Sequence, residues 1–245
     1  MMKATGPWNV DAADDLCLLA HNFGTGDQTA ILGFQPIFND DTMELIVLTT
    51  DTVKMQRIGK AKISSNRLPK PIEAPYASVG SSTKPQRLTR ITVNRSVFDE
   101  LGATSYLTIT AAPVNMTFLI SKSDKAMVAF KTCETELLKT WGVETLVDKD
   151  HAAKPINNIN SFFNATSYPD AARDAGVYGR VVALLNLAAD GAIGGCHVVR
   201  SAAKELNEAT CENARKIRFR PAIGPDGKPI ASIYPIAVSW ELPGL

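Results

Sequence analysis

The chain has 245 residues, of which 45% are hydrophobic and 21% charged, and its formal net charge is +1. This length predicts two domains, and the composition argues against a disordered chain. The balanced charge argues against a dedicated nucleic-acid-binding protein, which normally carries a clear basic excess.

The first predicted domain, residues 1–148, is rich in β-strand signals. Runs of β-branched and apolar residues at 8–10, 17–23, 29–34 and 43–50 predict strands, and the turn at 24–27 predicts a hairpin between the second and third. Four prolines within residues 64–90 predict loop or edge structure there. Further strands are predicted at 90–94, 106–110 and 116–120, with a short helix at 96–101.

A longer helix is predicted at residues 125–140, because apolar residues recur there at helical spacing and Gly142 ends the pattern. The following polar stretch, residues 149–167, is predicted to be a linker. No function is predicted for the domain that precedes it.

The second predicted domain spans residues 168–245. A helix start at Pro169 is followed by a strand at 180–187, a turn at Asp190-Gly191 and a return strand at 193–199. An amphipathic helix at 206–217 and a last strand at 233–242 complete it. The fold class is therefore predicted to be α+β, with a β-rich domain that packs a helix followed by a β-β-α-β domain.

Four cysteines fall two to each predicted domain. Cys17 lies in an apolar strand and Cys133 on the apolar face of the 125–140 helix. Cys196 and Cys211 repeat this arrangement in the second domain. The pattern predicts the disulfides Cys17–Cys133 and Cys196–Cys211 and an oxidising compartment, the alternative being buried free thiols in a cytosolic protein.

Several motifs follow one another in the second domain, among them Tyr168-Pro169-x-x-Ala172, Asp190-Gly191-x-Ile193, Arg218-Phe219-Arg220-Pro221-Ala222 and Val238-Ser239-Trp240-Glu241-Leu242. Through these motifs the domain resembles the C-terminal domain of TonB-family proteins. The family implies a periplasmic domain that recognises an extended segment of an outer-membrane transporter by strand addition. The residues assigned to this role, mainly through their backbone, are Ile233, Tyr234, Ile236, Val238 and Trp240.

The sequence departs from a full energy transducer, which carries a membrane helix and a long proline-rich spacer before this domain. No run of about 20 apolar residues is present in the sequence. The doubled methionine at the start suggests that a signal peptide or membrane anchor has been removed.

No catalytic, cofactor-binding or metal-ligating residue is predicted. The three histidines, His21, His151 and His197, are scattered. The acidic pairs at 14–15 and 40–41 are interpreted as turn caps. The cluster Arg215, Lys216, Arg218 and Arg220 is interpreted as a solvated helix face, with an acidic lipid or nucleic-acid surface as the alternative.

These patterns together favour a periplasmic, disulfide-bonded, non-enzymatic protein of the cell envelope. Its C-terminal module would dock a protein or peptide segment by edge-strand addition, with a link to outer-membrane transport, and nucleic acid is not expected as a partner. Two alternatives stay open at this point. One is a hydrolase-like envelope enzyme in the N-terminal domain, and the other is a structural homodimer formed through the C-terminal edge strand.

Overall fold

The computed structural model describes residues 1–26, 28–38, 41–50, 56–81, 84–120, 123–143 and 150–242. The chain divides into two compact units, residues 1–134 and 135–244. Each unit combines β-sheet with helix, so the predicted α+β class is confirmed. Among the described residues, no helix is both long enough and apolar enough to cross a bilayer.

The N-terminal unit is built on one nine-stranded sheet in the order β1-β2-β3-β4-β7-β6-β5-β8-β9, with every pair antiparallel. Its strands are β1 Ala4–Ala13, β2 Leu16–Thr25, β3 Gln28–Pro36, β4 Thr42–Thr50, β5 Arg57–Ser65, β6 Ile72–Gly80, β7 Gln86–Asn94, β8 Tyr106–Ala111 and β9 Val114–Leu119.

The two edges of this sheet meet beside Met2. Its backbone N–H donates to Thr117 O at 2.7 Å, and its carbonyl accepts from Leu119 N at 3.0 Å. The resulting parallel bridge to Phe118 joins the N-terminal end of the chain to β9. The sheet therefore curls back on itself around an apolar interior, an arrangement that the sequence does not predict.

Two helices pack on the interior of this sheet. They are α1 Arg95–Asp99, continued by a 3₁₀ turn at Glu100–Ala103, and α2 Asp124–Thr140. Phe98 of α1 lies between Phe34 and Phe130, with ring centroids 5.5 and 5.0 Å away. Arg95 also makes two hydrogen bonds to Glu134, of 3.1 and 2.5 Å. The predicted helices at 96–101 and 125–140 are thus present.

The prediction of loop or edge structure over residues 64–90 is wrong for residues 72–80 and 86–90, because β6 and the start of β7 lie there inside the sheet. Pro75 sits within β6 and pairs with Lys60 of β5. Pairing of β6 with β7 begins only at Tyr76, so Pro75 has no strand partner on that side. Proline lacks a backbone N–H. Because Pro75 has no partner in β7, its presence in β6 does not cost a ladder hydrogen bond between these two strands.

The C-terminal unit contains a three-stranded antiparallel sheet in the order β12-β11-β16. The elements of the unit after α2 are β10 Lys154–Pro155, 3₁₀ turns at Ile159–Phe162 and Ala165–Ser167, α3 Asp170–Asp174, β11 Gly179–Leu187, β12 Ile193–Arg200, α4 Lys204–Ala214, β13 Phe219–Arg220, β14 Ala222–Ile223, β15 Pro229–Ile230 and β16 Ser232–Trp240. The predicted order of helix, two strands, helix and strand is present. The two-residue ribbons β10–β13 and β14–β15 were not predicted.

The predicted turn at Asp190-Gly191 joins β11 to β12. Gly191 has a φ of +80°, and a Cβ atom there would lie 2.1 Å from Phe219 O. Glycine is therefore required both by the backbone conformation and by the close approach of β13.

The domain boundaries predicted at 148 and 168 stay predictions. Within the predicted linker, Ala153 is buried in the core of the C-terminal unit, and Phe162 and Phe163 pack against that core. The described part of the predicted linker thus belongs to the core packing of the C-terminal unit.

The structure contains the two disulfides Cys17–Cys133 and Cys196–Cys211. The first joins β2 to α2 and closes a loop of 116 residues, and the second joins β12 to α4 across 15 residues. Both therefore fasten a helix to the sheet on which it packs.

Removing the disulfides should destabilise the two units by different amounts. In the chain-entropy model the longer loop contributes about 5 kcal/mol and the shorter about 3 kcal/mol. We expect the double variant Cys17→Ala/Cys133→Ala to lose more free energy of unfolding than Cys196→Ala/Cys211→Ala in urea titrations. Four reactive thiols in the unfolded, unreduced protein would contradict the presence of either bridge.

Candidate partner-binding edge strand

Strand β16 lies at one edge of the C-terminal sheet. It pairs with β11 along its full length, from Gly179 opposite Trp240 to Leu187 opposite Ser232. In the part of the chain that the structure describes, no strand pairs with the other edge of β16. A row of backbone N–H and C=O groups along that edge is therefore left without a ladder partner, which is the feature that strand addition uses.

The predicted binding side chains on β16 mostly face the core. Tyr234, Ile236, Val238 and Trp240 are between 0% and 8% exposed, and only Ile233 is half-buried. Tyr234 packs against Phe219 with ring centroids 4.7 Å apart. Four of the five side chains thus anchor the strand in the core of the C-terminal unit.

Trp240 is held by a hydrogen-bonded contact with α4. Its indole Nε1 donates to Thr210 Oγ1 at 2.9 Å, and Thr210 Oγ1 donates to Leu206 O at 2.7 Å. Rings of Tyr168 and Phe163 lie edge-on to Trp240, with centroids 5.5 and 6.0 Å away. The C-terminal end of β16 is therefore fixed by packing and by a buried hydrogen bond.

Tyr168 supports the same end of the sheet. Its hydroxyl donates to Val177 O, and the residue is 5% exposed. Burial, and then the negative charge of Glu241, raises the pKa of Tyr168 above its usual value. The hydroxyl therefore stays protonated and remains a donor at neutral pH.

Pro235 indicates which backbone groups of β16 point outward. It pairs with Leu184 of β11. Residues of an antiparallel pair alternate between those that exchange hydrogen bonds and those that do not. Because proline has no N–H, the ladder is complete only if Pro235 is in a non-hydrogen-bonded pair. By this alternation Ile233, Ala237 and Ser239 also direct their N–H and C=O groups away from β11.

Helix α4 is fastened to both outer strands of the sheet. Cys211 ties it to β12 through the disulfide, and Thr210 ties it to β16 through Trp240. On the helix, Leu206 and Ala214 are completely buried. The three strands and α4 consequently form one packed module with β16 along its edge.

A three-stranded antiparallel sheet with one helix laid across it, whose edge strands β12 and β16 each pair with β11 alone in the described part of the chain, defines a small strand-presenting module. Residues 164–242 match the family described as Gram-negative bacterial TonB protein C-terminal. This segment is a TonB C-terminal domain, and the region before it is not assigned to a family. No curated protein and no solved structure gives a match to this chain.

The other residues considered as functional candidates do not lie on β16. Asp14 and Asp15 form the turn between β1 and β2, while Asp40 lies outside the described residues. His151 and His197 are exposed, on the loop before β10 and on β12 respectively. No group of three or more His, Cys, Asp or Glu side chains within the described residues could hold a metal ion.

His21 is the buried member of the histidines. It is 4% exposed on β2, its Nδ1 has no hydrogen-bond partner, and its ring lies 4.6 Å from Trp8 and 4.8 Å from Phe23. Burial lowers the pKa of His21 below its usual value, although the backbone of Asn22 and of Gly6 opposes this. We interpret the residue as a neutral core histidine of the N-terminal unit.

Breaking the contact between Trp240 and α4 should destabilise the C-terminal unit. Thr210→Val keeps the side-chain shape but leaves the buried indole N–H without an acceptor, which costs about 1–3 kcal/mol. Thr210→Ser keeps the hydroxyl and should lose clearly less. Chemical denaturation of both variants checks this. A loss in Thr210→Ser as large as or larger than that in Thr210→Val would contradict the dominant role of the hydrogen bond.

The N-terminal unit should lose stability as the pH falls. Because its folded pKa is lowered, His21 takes up a proton more readily in the unfolded state. The free energy of unfolding should therefore decrease as the pH drops below about 6.5, down to the folded pKa. His21→Phe should flatten the stability profile in this window, whereas the exposed control His197→Gln should leave it unchanged. A profile that is the same in all three proteins would exclude this role for His21.

Proposed function

We propose that the TonB C-terminal domain of this protein captures an extended segment of an outer-membrane transporter by adding it as a fourth strand beside β16. The observation that carries the proposal is the nine-residue edge strand, paired on one side only and anchored by buried side chains. The family match and the two disulfides are typical of a cell-envelope protein. We accordingly place the protein in the periplasm.

The proposed contact is made mainly by the backbone. Ile233, Ala237 and Ser239 would each supply a donor and an acceptor to the incoming strand, and Pro235 would supply an acceptor alone. Nine paired residues span roughly 30 Å at the usual rise of a strand. Selectivity for one partner would then come from side chains of the peptide that lie beside the exposed Ser239 and the half-buried Ala237.

This proposal assigns no catalytic step to the chain. Among the described residues of the N-terminal unit, Phe23, Phe34, Phe98, Phe118 and Phe130 are all at most 1% exposed, and the fully buried Arg87 is hydrogen-bonded to Ser78. We propose that this unit acts as a stable attachment to the binding module and that the protein is not an enzyme.

A proline at position 237 should block strand addition selectively. Ala237→Pro removes one outward N–H while leaving the ladder to β11 complete, by the same alternation that accommodates Pro235. We expect peptide affinity to fall by about tenfold, since a lost hydrogen bond contributes about 1 kcal/mol and the proline ring also crowds the incoming strand. Isothermal titration calorimetry with peptides from outer-membrane transporters measures this.

Ala237→Ser is the matched control, because it keeps the N–H and is expected to bind like the parent protein. Light scattering on the same samples tests the homodimer alternative. If the parent protein forms a dimer that Ala237→Pro dissociates, the edge pairs with its own copy. If no transporter peptide shifts the NMR signals of residues 232–240, the proposal is wrong.

A further inference from the structure

A second surface of the C-terminal unit, formed by residues outside β16, concentrates positive charge on the β10–β13 ribbon. Lys154 lies directly opposite Arg220, and Ile156 N donates to Arg218 O at 2.8 Å. We call the exposed side chains of Lys154, Ile156, Arg218 and Arg220 the basic ribbon.

These four side chains share one face of the ribbon. Arg218 and Arg220 are exposed and flank Phe219, which is 3% exposed and belongs to the core. Lys154 and Ile156 are likewise exposed on either side of the half-buried Pro155. Because side chains of extended chains alternate between faces, the exposed ones project to the same side. Ile156 is 60% exposed between these cations.

This arrangement is electrostatically unfavourable in the isolated protein. Like charges directly opposite each other destabilise a strand pair. In the described part of the chain, neither Arg218 nor Arg220 has an ion-pair partner. Lys154 has only a 3.8 Å pair with Asp150, which is itself 88% exposed. Apart from Asp150, the described residues therefore supply no ion-pair partner to these cations.

The net charge of the domain does not explain this clustering. Residues 164–242 contain nine Lys or Arg and eight Asp or Glu, yet four of those nine cations fall within residues 215–220. Arg215 and Lys216, at the end of α4, are exposed next to the basic ribbon in the sequence. Lys154 and Ile156, by contrast, come from a segment that precedes the family match, so this strand enlarges the cationic surface of the domain.

We propose that the basic ribbon docks on an anionic phospholipid surface. Arginine side chains bind phosphate groups through their planar fork of donors, which suits phospholipid headgroups. An exposed aliphatic side chain among cations matches the boundary between headgroups and acyl chains. An acidic peptide would satisfy the cations but offers no apolar layer to Ile156, and for this reason we favour the lipid.

The full chain should bind vesicles of phosphatidylglycerol mixed with phosphatidylcholine more tightly than vesicles of phosphatidylcholine alone. Added salt should weaken the binding to the mixed vesicles. Each cation near an anionic surface changes the partition coefficient about fivefold. Arg218→Gln/Arg220→Gln should therefore reduce binding by about 25-fold. Ile156→Ser, which leaves the charge unchanged, should reduce it by about fivefold.

The matched control is Lys204→Gln/Lys228→Gln, which removes two exposed cations of the same domain outside the basic ribbon. It should retain binding within about twofold of the parent protein. An equal loss in this control would overturn the proposal, because net charge alone would then account for binding. Binding to soluble polyglutamate but not to the anionic vesicles would also overturn it and would indicate an acidic protein partner.

Discussion

Alternate burial of side chains along β16 is the constraint on which the C-terminal unit depends. Tyr234, Ile236, Val238 and Trp240 all point into the core. A slip of one residue in the pairing with β11 would turn all four toward the opposite face, so the register is strongly fixed. The strand consequently holds its outer backbone groups in a constant position.

Helix α4 packs on the sheet and stabilises the module that contains β16. A sheet of three strands is close to the lower limit for independent stability, and its core alone supplies only a few kcal/mol. The Cys196–Cys211 bridge adds to this from the side of β12, while Thr210 and Trp240 hold the side of β16. The N-terminal unit fastens α2 to β2 in the same manner through Cys17 and Cys133. Disulfides in both units are typical of proteins in an oxidising compartment, which agrees with a cell-envelope protein.

The sequence predicts those elements whose signals are local. Helix α4 and the Asp190-Gly191 turn follow from helical spacing and turn chemistry, and the cysteine pairs follow from the faces on which they lie. Strand β6 was missed because the effect of Pro75 depends on where pairing with β7 begins, which is a property of the sheet. The bridge from Met2 to Phe118 and the β10–β13 ribbon join residues far apart in the chain, so no local pattern marks them. The burial of four predicted binding residues could not be predicted either, since the alternation of side chains along a strand does not tell which face meets the core.

Pro235 also bears on what can pair with the unpaired edge. If two copies of β16 paired symmetrically, each strand would present a proline to its copy, and two donors would be missing from one short ladder. A peptide without proline would lose only the single donor that Pro235 lacks. Prolines on edge strands are a common protection against association between identical sheets. In the proposed strand addition, the edge would therefore accept a foreign strand more readily than its own copy, and Pro235 would still offer its carbonyl group as an acceptor.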